Sequence, residues 1–301
     1  MLESLEGTVY GVVRVATNSY FILNGNGEVL LLNTASTPWT TTVLCSVSSD
    51  YSFNGVPCLG RDGRVYATIE AGSGLGIEVP NVSKLVSVST AGDLTEVYSH
   101  TGSDVLTEVV QGAGSTMVAA SLTKLYSITD GTATELYTHS SIDSWHFSLA
   151  LFGNGNVFHV GEDNASFVCV SQAGQVQWTV PLDDASAITD SWVRNAIYDP
   201  VTDAIYVLAR GSGTLYKVLA GGAYSTLGEL ELGADVQSDL ALTSAGELFF
   251  LSSQNTWATV NLTTGSATYH DGYFYLGNVA LIAESGAWVL GCYNSLMQYW
   301  Q

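Results

Sequence analysis

Positive charge is scarce in this chain. It has 8 Lys and Arg against 28 Asp and Glu, a net charge of −20, and lysine occurs only at Lys84, Lys124 and Lys217. A phosphate backbone needs a basic surface and an anionic leaflet attracts polybasic segments, so nucleic acid and membrane are not expected partners. No apolar run reaches the ~20 residues of a transmembrane helix. Met1-Leu2-Glu3-Ser4-Leu5-Glu6 lacks the basic and apolar regions of a signal peptide, so none is expected. Cysteine is limited to Cys45, Cys58, Cys169 and Cys292, scattered without metal spacing in apolar contexts. That pattern reads as free buried thiols rather than disulfides or a zinc site. Catalytic signatures are missing as well: no Gly-x-Ser-x-Gly elbow, no phosphate-binding glycine loop, no His-Glu-x-x-His and no calcium loop.

What the chain does have is strand-forming material. Apolar residues make up 47% and charged residues 12%, enough for a sizeable core, and 31 glycines punctuate it. A segment of the form Φ-x-x-Φ recurs seven times: at Val29–Leu32, Leu85–Val88, Leu125–Ile128, Phe167–Val170, Leu215–Val218, Trp257–Val260 and Leu296–Tyr299. An apolar strand precedes each, containing Phe21, Tyr66, Val118, Phe158, Tyr206, Phe249 or Val289. Short turns such as Gly60-Arg61-Asp62-Gly63, Gly153-Asn154-Gly155, Thr90-Ala91-Gly92-Asp93 and Gln172-Ala173-Gly174-Gln175 link the strands into hairpins.

Each unit therefore reads as four antiparallel strands over roughly 40–50 residues, the size of a propeller blade. The expected fold is an all-β, seven-bladed β-propeller forming one domain over residues 1–301. The blades are expected at about 8–52, 53–104, 105–142, 143–190, 191–232, 233–273 and 274–301 plus 1–7. The last unit has three strands, and the N-terminal Leu2–Glu6 is expected to supply the fourth and close the ring, leaving no open edge. The second unit is irregular, with a long insert from Ala71 to Ser83, so six or eight blades remain the alternatives.

Along its length the chain resembles the β-propeller superfamily. It lacks the paired glycines of kelch repeats and the Trp-Asp ending of WD40 repeats, while Gln172–Trp178 is similar to the turn and strand of quinoprotein-like repeats. In composition, being rich in Gly, Ser and Thr and poor in lysine, it resembles phage and virus structural proteins. That resemblance implies a virion component, structural or host-attaching, made in the cytoplasm without a signal peptide. Outside such a particle the expected location is cytoplasmic.

The segments joining a fourth strand to the next blade carry an acid at nearly every junction: Asp50, Asp104, Asp143, Asp190, Asp235 or Asp239, and Asp271. In a ring these surround the axis. Asp50, Asp143 and Asp190 are then candidates to hold Ca²⁺ through oxygen ligands. The simpler reading is that each Asp bonds the backbone of its own loop, and no cofactor is otherwise expected. Aromatics accompany the acids in Asp143-Ser144-Trp145, Asp190-Ser191-Trp192 and Asp271-Gly272-Tyr273, with Arg194, Asn195, Asn54 and His146 near in sequence. Flat rings beside hydrogen-bonding groups suit a sugar or a protein loop, and Trp145 and Trp192 equally suit packing between blades. His100, His139 and His270 sit at one repeat position, at the ends of separate fourth strands. His146 and His159 are the only pair expected to approach the axis, with no third ligand at zinc spacing.

Three functions follow as expectations. The first is a non-enzymatic binding or structural propeller with a protein partner in a larger assembly. The second is a calcium-dependent funnel-type hydrolase, resembling lactonase-like propellers. The third is a carbohydrate-binding propeller using the Asp-Ser-Trp segments.

Overall fold

The computed structural model describes residues 9–36, 39–71, 82–102, 104–138, 146–147, 149–161, 166–182, 191–194, 196–209, 212–231, 240–243, 246–253, 256–271, 280–284, 287–292 and 295–300. Alternating residues of each strand face opposite sides of its sheet, and both sides are apolar in most second and third strands. Such strands are stable only when a sheet packs on each side.

Blade 1 comprises β1 (Val9–Ala16), β2 (Ser19–Asn24), β3 (Glu28–Asn33) and β4 (Thr40–Ser46). Blade 2 comprises β5 (Tyr51–Leu59), β6 (Val65–Ala71), β7 (Val82–Val88) and β8 (Leu94–Thr101). Blade 3 comprises β9 (Leu106–Gln111), β10 (Met117–Ser121), β11 (Lys124–Thr129) and β12 (Thr132–Thr138). A short strand β13 (His146–Phe147) leads into blade 4, built from β14 (Ala150–Leu151), β15 (Val157–Gly161), β16 (Ser166–Val170) and β17 (Val176–Pro181). A second short strand, β18 (Ser191–Arg194), leads into blade 5, built from β19 (Ala196–Asp199), β20 (Ala204–Ala209), β21 (Thr214–Leu219) and β22 (Tyr224–Glu229). Blade 6 comprises β23 (Ala241–Leu242), β24 (Glu247–Ser253), β25 (Thr256–Asn261) and β26 (Ala267–Asp271). The chain finishes with β27 (Ala280–Glu284), β28 (Ala287–Cys292) and β29 (Ser295–Trp300). Within every blade the strands pair antiparallel in sequence order.

Among the described residues the structure is thus a propeller of six four-stranded blades, and the expectation of seven is corrected. The terminal β27–β28–β29 sheet has three strands. It lies between β23 of blade 6 and β1 of blade 1. The miscount has a physical origin. Each Φ-x-x-Φ segment marks a third strand, and counting third strands counts hairpins rather than complete blades. The Leu2–Glu6 segment expected to supply the missing fourth strand lies outside the described residues, as does most of the Ala71–Ser83 insert.

The Φ-x-x-Φ pattern itself has a simple geometry. Residues three apart in a strand point to opposite faces. Leu125 packs toward blade 4 and Ile128 toward blade 2, while Leu215 packs toward blade 6 and Val218 toward blade 4. The first apolar residue therefore meets the next blade and the second meets the previous one. Leu125, Ile128, Phe167, Val170, Leu215, Val218, Trp257 and Val260 are all buried, as expected. The core is the set of apolar layers between successive blades.

Turns between third and fourth strands pack on the fourth strand of the preceding blade. At Gly265, with φ of +72°, an added Cβ would lie 2.1 Å from the Leu227 carbonyl oxygen. Both the left-handed backbone and this approach require glycine. Trp178, in the stretch similar to quinoprotein-like repeats, makes a related tie: its Nε1 donates to the Ala220 carbonyl of blade 5 at 2.8 Å. Cys45, Cys58 and Cys169 form no disulfide, as expected, but only Cys169 is buried, Cys45 and Cys58 being partly exposed; burial pushes the Cys169 thiol up to about 11.

Candidate binding site at the ring centre

In an antiparallel blade, the turns between second and third strands share one rim of the ring with the segments joining successive blades. At that rim β13 and β18 pair in parallel, with His146 opposite Ser191 and Phe147 opposite Arg194. This two-stranded ribbon joins the segments that lead into blades 4 and 5. In turn, β18 touches β5 of blade 2 and β13 touches β9 of blade 3. β13 thus rests on the blade that precedes it, whereas β18, which leads into blade 5, reaches across to blade 2.

The strand that follows Trp145 in sequence and the strand that contains Ser191 and Trp192 are thereby paired. β18 contains Trp192 and Arg194, and its pairing with β13 shifts register between His146 and Phe147. Asp143, Trp145, Asp190, Asn195 and Tyr273 lie outside the described residues, as do Asp235, Asp239 and His139. Asp271 is the last residue of β26, on blade 6.

Two junction acids have described side chains, and each serves its own surroundings. Asp50 is exposed, and its Oδ2 accepts the Ser48 hydroxyl at 3.4 Å. Asp104 accepts the Ser121 hydroxyl at 2.6 Å and the Thr123 N–H at 2.9 Å, pinning its loop to the β10–β11 turn. Among the described residues no three His, Cys, Asp or Glu side chains converge as a metal site. His100 pairs with Ser83 on blade 2 and His270 with Trp257 on blade 6, two residues apart in register, so the expectation that they share one repeat position is corrected. His270 stacks on Trp257 with ring centroids 3.8 Å apart, and His100 packs against Tyr98 and Tyr126.

The strands against the ribbon, with β6 beside them, carry Asn54, which the sequence had singled out, and the acids Glu70 and Glu108, which it had not. Asn54 of β5 donates to Glu70 Oε2 at 3.1 Å and to the Leu106 carbonyl at 3.3 Å. Thr68 donates its hydroxyl to the Asn54 carbonyl. Burial raises the Glu70 carboxyl above the ordinary carboxylate range. On β9, Glu108 is wholly buried, and its Oε2 accepts the Leu149 N–H at 2.9 Å. The signal in the sequence was a lone acid inside the apolar run Leu106-Thr107-Glu108-Val109-Val110.

Comparison with solved structures gives the same architecture. A streptogramin B lyase structure aligns with a TM-score of 0.79 at 12% identity, covering 99% of this chain and 96% of that one. Virginiamycin B lyase from Staphylococcus aureus aligns at 0.78 and 11% identity, covering 98% and 97%. The WD40 propeller domain of Doa1 aligns at 0.71 and 14%, covering 99% and 93%. The chain has a β-propeller fold. No protein-family model matches the propeller, and no curated protein matches its sequence. At these identities the likeness carries the fold alone.

Proposed function

We propose that this propeller is a non-enzymatic binding module that docks a protein partner at the rim crossed by the β13–β18 ribbon. The observation that carries the reading is the ribbon's path. A funnel enzyme needs an open mouth leading to converging acids, bases or metal ligands. Here the β18 backbone, paired with β13, reaches across to β5 of blade 2, and the two junction acids with described side chains are each bonded to their own loop or neighbouring turn. Trp192 and Arg194, two residue types that dominate binding hot spots, both belong to that ribbon. The setting we propose is a larger assembly such as a virion. Composition supports it: an acidic, lysine-poor chain rich in Gly, Ser and Thr.

The test is stoichiometric co-purification with a particle or partner, repeated with Trp192→Ala/Arg194→Ala. We expect the double variant to lose the partner while keeping its melting temperature. A partner retained by that variant places docking elsewhere. Binding to a glycan array that is lost in the double variant would instead make the ribbon a sugar site.

A second reading draws on the lyases that match over nearly the whole chain. In it the propeller is a funnel enzyme acting on a cyclic ester, with calcium held by junction acids such as Asp50, Asp143 and Asp190. Incubation with a streptogramin B and with simple lactones, with and without calcium, tests it by mass spectrometry. Calcium-dependent turnover by a free monomer would replace the binding reading.

A further inference from the structure

The layer between blades 3 and 4 is built from Val118, Ala120 and Leu125 on one side and Leu149, Val157, Val168 and Val170 on the other. Two titratable residues share it. Glu108 stands opposite Ala120 in the β9–β10 pair and so shares its face. His159 stands opposite Val168 in β15–β16, two residues from Val157. Glu108 is 0% exposed and His159 is 1% exposed. At the register position of His159 the other five blades carry Ile22, Ala67, Ala119, Val207 and Phe250, all apolar. This layer therefore departs from the repeat, and it does so next to the ribbon.

A carboxyl group in such a layer costs stability unless it is hydrogen-bonded. An apolar residue would fill the same volume without desolvating a charge. What it would not do is accept the Leu149 N–H, which Glu108 Oε2 takes at 2.9 Å. Leu149 lies two residues beyond Phe147, the end of β13, and β13 itself runs against β9. We infer that Glu108 is a positioning residue for the ribbon. Its carboxyl group fixes the chain where β13 passes into β14, and through the β13–β18 pairing it sets where the Ser191–Arg194 backbone lies against β5 of blade 2. The seating is independent of what the ribbon binds; only its consequence for recognition rests on the function proposed above.

Hydrogen exchange read by mass spectrometry on the full chain tests the seating. Glu108→Gln keeps a carbonyl acceptor, and its ribbon peptides should match wild type. Glu108→Leu keeps volume and burial but loses the acceptor. Residues 146–151 and 191–194 should then exchange about tenfold faster or more, the scale of one lost hydrogen bond to a charged group. Residues 204–219 and the melting temperature should stay at wild-type values. Faster exchange throughout the ring with a lower melting temperature in Glu108→Leu would show a general core role and overturn the inference. So would ribbon exchange unchanged in Glu108→Leu, or raised in Glu108→Gln. Partner co-purification separates the two claims: if the ribbon loosens in Glu108→Leu and partner binding is intact, Glu108 stands as the anchor and the ribbon falls as the recognition edge.

Discussion

Asn54 and Glu108 hold the same register position in consecutive blades, and each bonds to the backbone at the start of the next blade. Asn54 pairs with Thr68, which pairs with Leu85; Glu108 pairs with Ala120, which pairs with Leu125. Asn54 donates to the Leu106 carbonyl and Glu108 accepts the Leu149 N–H. First strands of neighbouring blades are not hydrogen-bonded into a common sheet, so side chains supply the polar stitching between them. Replacing Asn54 by Ala leaves a buried acceptor on Leu106 and a half-buried one on Glu70 and should cost about 1–3 kcal/mol. Asn54→Asp should cost more at neutral pH, because it sets a second carboxylate against Glu70 and a carbonyl. The excess should shrink toward pH 4, as the carboxyls protonate. Urea denaturation of the three proteins at both pH values checks this.

Phe167 is the first apolar residue of its Φ-x-x-Φ segment and is wholly buried. Its ring lies 5.4 Å from Phe158, 5.5 Å from Tyr216 and 5.8 Å from Tyr224, centroid to centroid, so it joins blade 4 to blade 5. Phe167→Ala removes that layer and leaves a cavity. A loss of about 3–5 kcal/mol is expected from equilibrium unfolding.

Gly55 sits where the pairing of β5 with β6 shifts register, with φ of +85°. A Cβ there would fall 1.5 Å from the Thr107 carbonyl oxygen of blade 3. Backbone cannot step aside as a flexible side chain would. Gly55→Ala combines left-handed strain with a backbone clash, and we expect about 3–5 kcal/mol of destabilisation. Gly63→Ala is the control: it shares the positive φ but meets nothing within 4 Å. It should cost about 1–2 kcal/mol. Near-equal losses in the two variants would show that the approach of Gly55 to Thr107 contributes nothing.

The repeat was legible because its signal is local. Phe158 and Phe167 fall in adjacent strands joined by a short turn, and apolar residues three apart declare two buried faces wherever they occur. Completeness of a blade was not legible, since Leu296–Tyr299 carries the same mark whether or not a fourth strand pairs with it. At the candidate site the reading was partial. Asp143-Ser144-Trp145 and Asp190-Ser191-Trp192 stood out as copies, but nothing in a sequence shows that the strand after the first and the strand within the second pair in parallel. Glu108 was missed for a related reason. An acid in an apolar run looks like an edge or a bulge until the neighbouring blade shows which N–H it meets.

Glu70 gives the propeller a pH dependence whose sign is fixed. Burial raises its carboxyl above the ordinary range, so the folded protein holds that proton more readily than the unfolded chain does. The protonated form contributes its full stability below the unfolded value, ~4.3 for a free Glu. That contribution is lost as pH rises through the raised folded value. Glu70→Gln removes the titration while keeping a carbonyl oxygen to accept from Asn54 Nδ2, now 3.1 Å from Glu70 Oε2. The melting temperature of the variant relative to wild type should therefore climb as pH is raised from about 4 to about 7. Thermal melts at intervals across that range measure the difference directly. A difference that stays flat would mean that burial of Glu70 costs the folded state nothing. A falling one would mean that the Asn54 hydrogen bond to the carboxylate outweighs its desolvation.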